Sequence, residues 1–199
     1  MDYITHPTSR EELRMFSRVF RYLFGINDDI SAFSVLRALE MLPDVFPGSS
    51  YEIVEDDVLP ANVPARCILD SQGNFTIEIK ESIYKGAFEK NIGAYLGFIC
   101  HELCHGFLFK IGYTPIVERS FGNSEIRPFE SVEWQAKALC GEVMMPYEAT
   151  KNMSLEEIVE KYHVSKGFAY IESININCLF FERGGFIDLI KNGKGKTHW

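Results

Sequence analysis

Apolar residues recur along this chain with two periods, and the change between them marks out the elements. Leu13, Phe16, Phe20 and Leu23 form a helical stripe. Ser9-Arg10-Glu11-Glu12 is the capping-box pattern that opens such a helix, and Gly25 closes it. A second helix is predicted from Ser31 to Met41, stopped by Pro43. The period then shortens. Residues 51–55 and 65–70 read as strands, Gln72-Gly73-Asn74 is turn chemistry, and Phe75 to Lys80 alternates apolar and polar. Residues 50–80 therefore predict a small antiparallel sheet. Helical spacing returns from Ile83 to Lys90 and again over residues 92–110, closed by Gly112. Residues 111–128 read as loop, with Pro115, Gly122 and Pro128. A helix over Phe129–Met144 ends before Pro146, and Ser154-Leu155-Glu156-Glu157 is a second capping box, opening a helix to Tyr162. His163-Val164-Ser165 turns into a further helix to Ser173, and Cys178 to Ile190 reads as a hairpin around Gly184-Gly185. The fold class expected is α+β, with a domain over residues 1–150. Residues 151–199 are expected to pack on it as a helix pair and hairpin without forming an independent domain.

Composition narrows the function classes. The chain has 199 residues, 46% of them hydrophobic and 14% aromatic, enough for a packed core. Its net charge of −8 argues against sequence-independent DNA binding and against an anionic membrane surface. The longest apolar stretch, Ile92 to Cys100, falls far short of the ~20 residues of a membrane span. Residues 1–12 are polar, with no secretory pattern, so a soluble, cytoplasmic protein is expected. In that compartment the five cysteines, at 67, 100, 104, 140 and 178, are reduced thiols.

The chemistry concentrates in His101-Glu102-Leu103-Cys104-His105, an HExxH motif inside the most apolar predicted helix. Four residues apart on a helix, His101 and His105 project from one face and can share a Zn²⁺ ion. Glu102 beside them is placed to take a proton from a zinc-bound water as general base. A catalytic zinc usually has three protein ligands and one open position. The third is expected from the 129–144 helix, where Glu133 is the choice and Glu130 the rival on nearly the same face. Cys100 and Cys104 also lie four apart, about 100° around the helix from the histidines. They are read as small core thiols packed on the neighbouring helix, in preference to a cysteine-containing metal site. Cys140, seven residues after Glu133, is expected nearby. His6, His163 and His198 carry no spacing signal.

At this point the chain resembles the ImmA/IrrE family of zinc metallopeptidases. Four segments carry the likeness: Ile77–Ala87, His101–His105, Glu133-Trp134-Gln135-Ala136 continuing to Val143-Met144-Met145-Pro146, and Leu155–Ala169. They stand in the family's order and cover about half the chain. The resemblance implies a zincin-like fold, His101, His105 and Glu133 as zinc ligands, and Glu102 as general base. It also implies a role, since such proteins are often carried on mobile elements or stress-response loci and cleave or inactivate a helix-turn-helix repressor. The chain departs from the family at Cys104, where Gly is usual, at Lys137, and at Leu139-Cys140. Lys137, one turn after Glu133, is a candidate ion-pair partner for it.

The function expected is metal-assisted peptide hydrolysis, with an extended substrate pairing with the 75–80 strand by β-addition. Tyr147 and Arg119 are candidates by residue type for stabilising the oxyanion. Two other classes compete. One is a zinc-containing scaffold that sequesters a repressor without cutting it. The other is direct DNA binding through residues 155–173, whose second helix offers only Lys166 as a cation and is expected to pack on the catalytic domain instead.

Overall fold

A computed structural model describes residues 2–114, 116 and 126–178, with side chains as far as 173. It is an α+β arrangement of one three-stranded sheet and, among the described residues, eight α-helices. Cys178, expected to open a hairpin to Ile190, instead ends a helix that runs past the Ser173 expected, and the rest of that segment lies outside the described residues.

Helix α1, Arg10–Leu23, starts at Ser9, which together with Glu12 makes both halves of a capping box. It buries Leu13 and Phe20, and Gly25 follows it at φ +80°. Helix α2 runs Val35–Val45, later than the Ser31–Met41 expected. The Asp28 carboxylate explains the late start. It accepts the amides of Ile30 at 2.8 Å and Ser31 at 2.6 Å, and so holds these residues in a local turn that competes with helix. The helix also runs through Pro43, because Val35, Ala38, Leu39 and Leu42 bury one continuous stripe.

The sheet corrects the expectation of an antiparallel one. Strands β1 (Ser50–Val54), β2 (Ala65–Leu69) and β3 (Phe75–Lys80) lie in the order β1-β3-β2. β2 pairs antiparallel with β3, but β1 pairs with it in parallel, Tyr51 opposite Ile77. The sheet is therefore mixed. The most apolar strand takes the centre: Phe75, Ile77 and Ile79 are fully buried, whereas β1 and β2 expose Ile53, Ile68 and Leu69. This also corrects the expected docking of substrate on residues 75–80, since both edges of β3 are already paired. Among the described residues the free edges belong to β1 and β2.

Helix α3, Glu81–Lys90, leads through Asn91 in the left-handed conformation to α4, Gly93–Lys110. α4 lies close on β3 at Gly106, where a β-carbon would meet the Phe75 ring at 2.3 Å. Next comes a 3-10 turn, Pro128–Glu130, and then α5, Val132–Met144. The helix expected from Phe129 thus starts at Val132, because Ser131 caps it by accepting the Trp134 amide at 2.9 Å. Helix α6 is the short Tyr147–Thr150 segment after Pro146. Helix α7, Leu155–Tyr162, opens with the expected Ser154–Glu157 capping box. Helix α8, Lys166–Cys178, follows the turn at His163.

Two further links hold the site's frame. Arg10 of α1 joins Glu172 of α8 at 2.9 Å and Glu142 of α5 at 3.5 Å in a buried charge network. The α7–α8 turn sits so close to the start of α4 that a β-carbon on Gly93 would lie 2.6 Å from the His163 carbonyl oxygen. Lys166, the one cation that the competing DNA-binding reading offered on the second helix, pairs with Glu156 at 3.2 Å. No helix among the described residues is long and apolar enough to cross a membrane.

Candidate metal centre

Helix α4 is apolar around most of its circumference, so its polar residues need partners once buried. His101 and His105 turn toward α5, and their Nε2 atoms stand 3.1 Å apart. From the first turn of α5, Glu133 brings its Oε2 to 3.4 Å from the His101 Nε2 and its Oε1 to 3.4 Å from the His105 Nε2. Ligand atoms 2.0–2.1 Å from one tetrahedral ion lie about 3.3–3.4 Å apart from one another. The separations here are close to that spacing, although they reach different Glu133 oxygens, and one ligand atom from each residue lies within 4.8 Å of the others, so the triangle of His101, His105 and Glu133 can hold a metal ion. Among the described residues both Nδ1 atoms are buried without a hydrogen-bond partner, and the Nε2 atoms are the ones that converge on Glu133. Access is from the Glu133 side: its side chain is 38% exposed and that of His105 only 8%. Hydrogen bonds from His101 and His105 hold the Glu133 carboxyl well below the ordinary carboxylate range, against the opposing effect of its burial.

Glu102 is one residue farther along the helix and stands outside the triangle. Its Oε2 accepts the backbone N–H of Cys67, in β2, at 2.8 Å. Burial pushes its carboxyl above the ordinary range, opposed by the two histidines and by the Cys67 amide. The same burial, with the Glu102 charge beside it, pushes the Cys67 thiol far up, so that this thiol stays neutral.

The remaining sequence candidates separate cleanly. Glu130 precedes the cap of α5, in the 3-10 turn, so it does not share the face of Glu133. It pairs with Arg127 through two contacts of 2.9 and 2.8 Å. Lys137 is exposed, and among the described residues no ion pair joins it to Glu133. Tyr147 lies under the Arg14 guanidinium, 4.1 Å from it, and its amide donates to Glu142. It therefore belongs to the α1 side of α5. Arg119 and His198 lie outside the described residues. Cys100, Cys104 and Cys140 form a second group of potential ligands, with sulfurs within 4.8 Å of one another.

Two supports of the site carry no motif. One is the Cys67 amide. The other is Asp2, whose carboxylate accepts the Ser131 hydroxyl at 2.7 Å and the Glu133 amide at 3.2 Å. The terminal arm continues this seam, with the Val132 amide donating to the Tyr3 carbonyl at 3.0 Å. A backbone donor has no sequence signature. An Asp at position 2 is legible only as a residue suited to accept hydrogen bonds at a helix start. Compared with known protein families and curated proteins, the chain matches no family model and no curated sequence.

Proposed function

We propose that this chain is a zinc-dependent metallopeptidase of the ImmA/IrrE kind, with a zincin-like arrangement of its active-site helix, and that its substrate is a regulatory protein of the helix-turn-helix repressor class. The observation that carries the reading is the convergence of His101, His105 and Glu133, with the two Nε2 atoms 3.1 Å apart and each 3.4 Å from a different oxygen of the Glu133 carboxylate, beside a second carboxylate that is not part of the group. Two imidazoles and one carboxylate make a borderline donor set suited to zinc, and three protein ligands leave a position open. When bound there, zinc supplies Lewis acidity, lowering the pKa of its water and polarising a peptide carbonyl.

The chain's own residues would then do the following. Glu133 and the two histidines hold the ion with one negative charge among them, so the site stays electrophilic. Glu102, anchored by the Cys67 amide, accepts the proton of the attacking water and delivers it to the leaving amine. Its raised proton affinity suits both transfers. Strand β2 is the edge that runs beside Glu102, so it is the strand on which an extended peptide can lie. Choice of a repressor as substrate is supported by the sequence resemblance alone.

The test has two readouts. Zinc per chain, by elemental analysis, should be about one ion lower in Glu133→Gln than in wild type. New protein N-termini, labelled in a cell lysate treated with the protein, should appear with wild type and not with Glu102→Gln. Equal zinc in wild type and Glu133→Gln would remove the metal site. Identical N-termini with wild type and Glu102→Gln would remove the peptidase.

A further inference from the structure

The contact between α4 and α5 is used twice. One turn pair of α4, His101 and His105, meets Glu133. The neighbouring pair, Cys100 and Cys104, meets Cys140, two turns further along α5. All three thiols are buried at 0–2% exposure, and their sulfurs lie within 4.8 Å of one another. The Cys140 sulfur also has the Met144 thioether sulfur 3.9 Å away. We propose that Cys100, Cys104 and Cys140 form a second metal site, made of sulfur alone, that takes one soft divalent ion of the zinc and cadmium class and clamps α4 to α5.

Geometry is the first support. Thiolates about 2.3 Å from a zinc ion stand about 3.8 Å apart in a tetrahedral arrangement. Sulfurs already within 4.8 Å reach that spacing by small rotamer adjustments of the three cysteines. Donor type is the second: thiolate and thioether sulfur select soft ions over magnesium or calcium. Charge is the third. An ion site in a dry core is costly unless its charges cancel. Arg21 is 1% exposed, and among the described residues it has no ion pair. Its Nη1 donates to the carbonyl of Val143 at 2.7 Å, on the same turn of α5 as Cys140, its Nη2 donates to the carbonyls of Asp28 at 3.0 Å and Ser31 at 2.6 Å, and among the described residues its Nε is a buried donor without a partner. Three thiolates, one divalent ion and the Arg21 guanidinium sum to zero. This inference is independent of the peptidase reading, since it shares no ligand with the histidine site.

The probe is Cd²⁺, added to the reduced full-length protein and also supplied during refolding, because the site is closed. The readout is the ultraviolet sulfur-to-cadmium charge-transfer band, which imidazole and carboxylate ligands do not produce. One equivalent of Cd²⁺ should give the band in wild type, in Glu133→Gln and in the Cys67→Ser/Cys178→Ser double variant. It should be lost, with at least tenfold weaker binding, in Cys140→Ser and in Cys104→Ser. Cadmium-113 NMR of the wild type, which needs no variant, should report three sulfur ligands. Absence of the band by both routes, its survival in Cys140→Ser and Cys104→Ser, or an NMR signal with fewer than three sulfurs would each overturn the site.

Discussion

The carboxylate of Glu102 accepts the amide of Cys67 at 2.8 Å, so helix α4 is tied through its proposed base to strand β2. One contact thereby fixes both the Glu102 carboxylate and the strand beside it. It also lets the role of Glu102 be tested without disturbing its position, because a glutamine oxygen can accept the same amide.

Glu102→Gln should therefore bind as much zinc as wild type and unfold at the same urea concentration, while cleavage falls by about 10²–10⁴-fold, the range for loss of a general base. Parallel zinc analysis, urea unfolding and cleavage assays check this. Retained cleavage would take the base role away from Glu102.

Asp2→Ala should loosen the first turn of α5, since it removes the acceptor for the Ser131 hydroxyl and the Glu133 amide. Asp2 touches no ligand atom of the triangle, so it acts as a positioning residue. Zinc affinity should fall by about tenfold, the lower end of the effect of outer partners on a metal site. Competition with a chromogenic chelator measures this, and Asp2→Asn, which keeps one acceptor oxygen, should recover part of the loss.

Gly106→Ala would ordinarily favour a helix by roughly 0.5–1 kcal/mol. Here the added carbon would stand 2.3 Å from the ring of Phe75, which is itself 1% exposed and has no room to swing away. The variant should be less stable by about 1–3 kcal/mol, the cost of overpacking a core. A urea midpoint equal to or above wild type would show that α4 and β3 adjust freely.

The pH dependence of stability should include a contribution from Asp28. Hydrogen bonds from the Ser31 hydroxyl, the Ser31 amide and the Ile30 amide hold its carboxyl below the ordinary aspartate value. With the folded-state pKa depressed, its stabilising effect is complete above the unfolded value, near 3.9, and fades as pH falls through the folded value. The gap in urea midpoint between wild type and Asp28→Ala should therefore be widest near neutral pH and shrink in acid. A gap that grows on acidification would have the wrong sign.

The local features of this chain were legible because their causes are local. A capping box needs only Ser and Glu three residues apart, and both predicted boxes, at Ser9–Glu12 and Ser154–Glu157, are formed. The i, i+4 geometry of a helix puts His101 and His105 on one face whatever surrounds them. Boundaries failed where a side chain intervened: Asp28 delays α2, and Ser131 delays α5 and leaves Glu130 outside the helix.

By itself, then, the sequence determined which residues can ligate, which helix presents two of them, and that the chain mixes helices with a few strands. The tertiary structure decided the rest. Strand order depends on which strand buries most apolar surface, and the alternation in Phe75–Lys80 says nothing about its neighbours or their direction. The choice of Glu133 over Glu130 depends on where α5 begins and on the Asp2 arm, 131 residues away in sequence, that holds its first turn. The meeting of Cys100 and Cys104 with Cys140 beside the buried Arg21 depends on how α1, α4 and α5 pack. Such relationships join residues that only burial of a shared core brings together, so no local pattern encodes them.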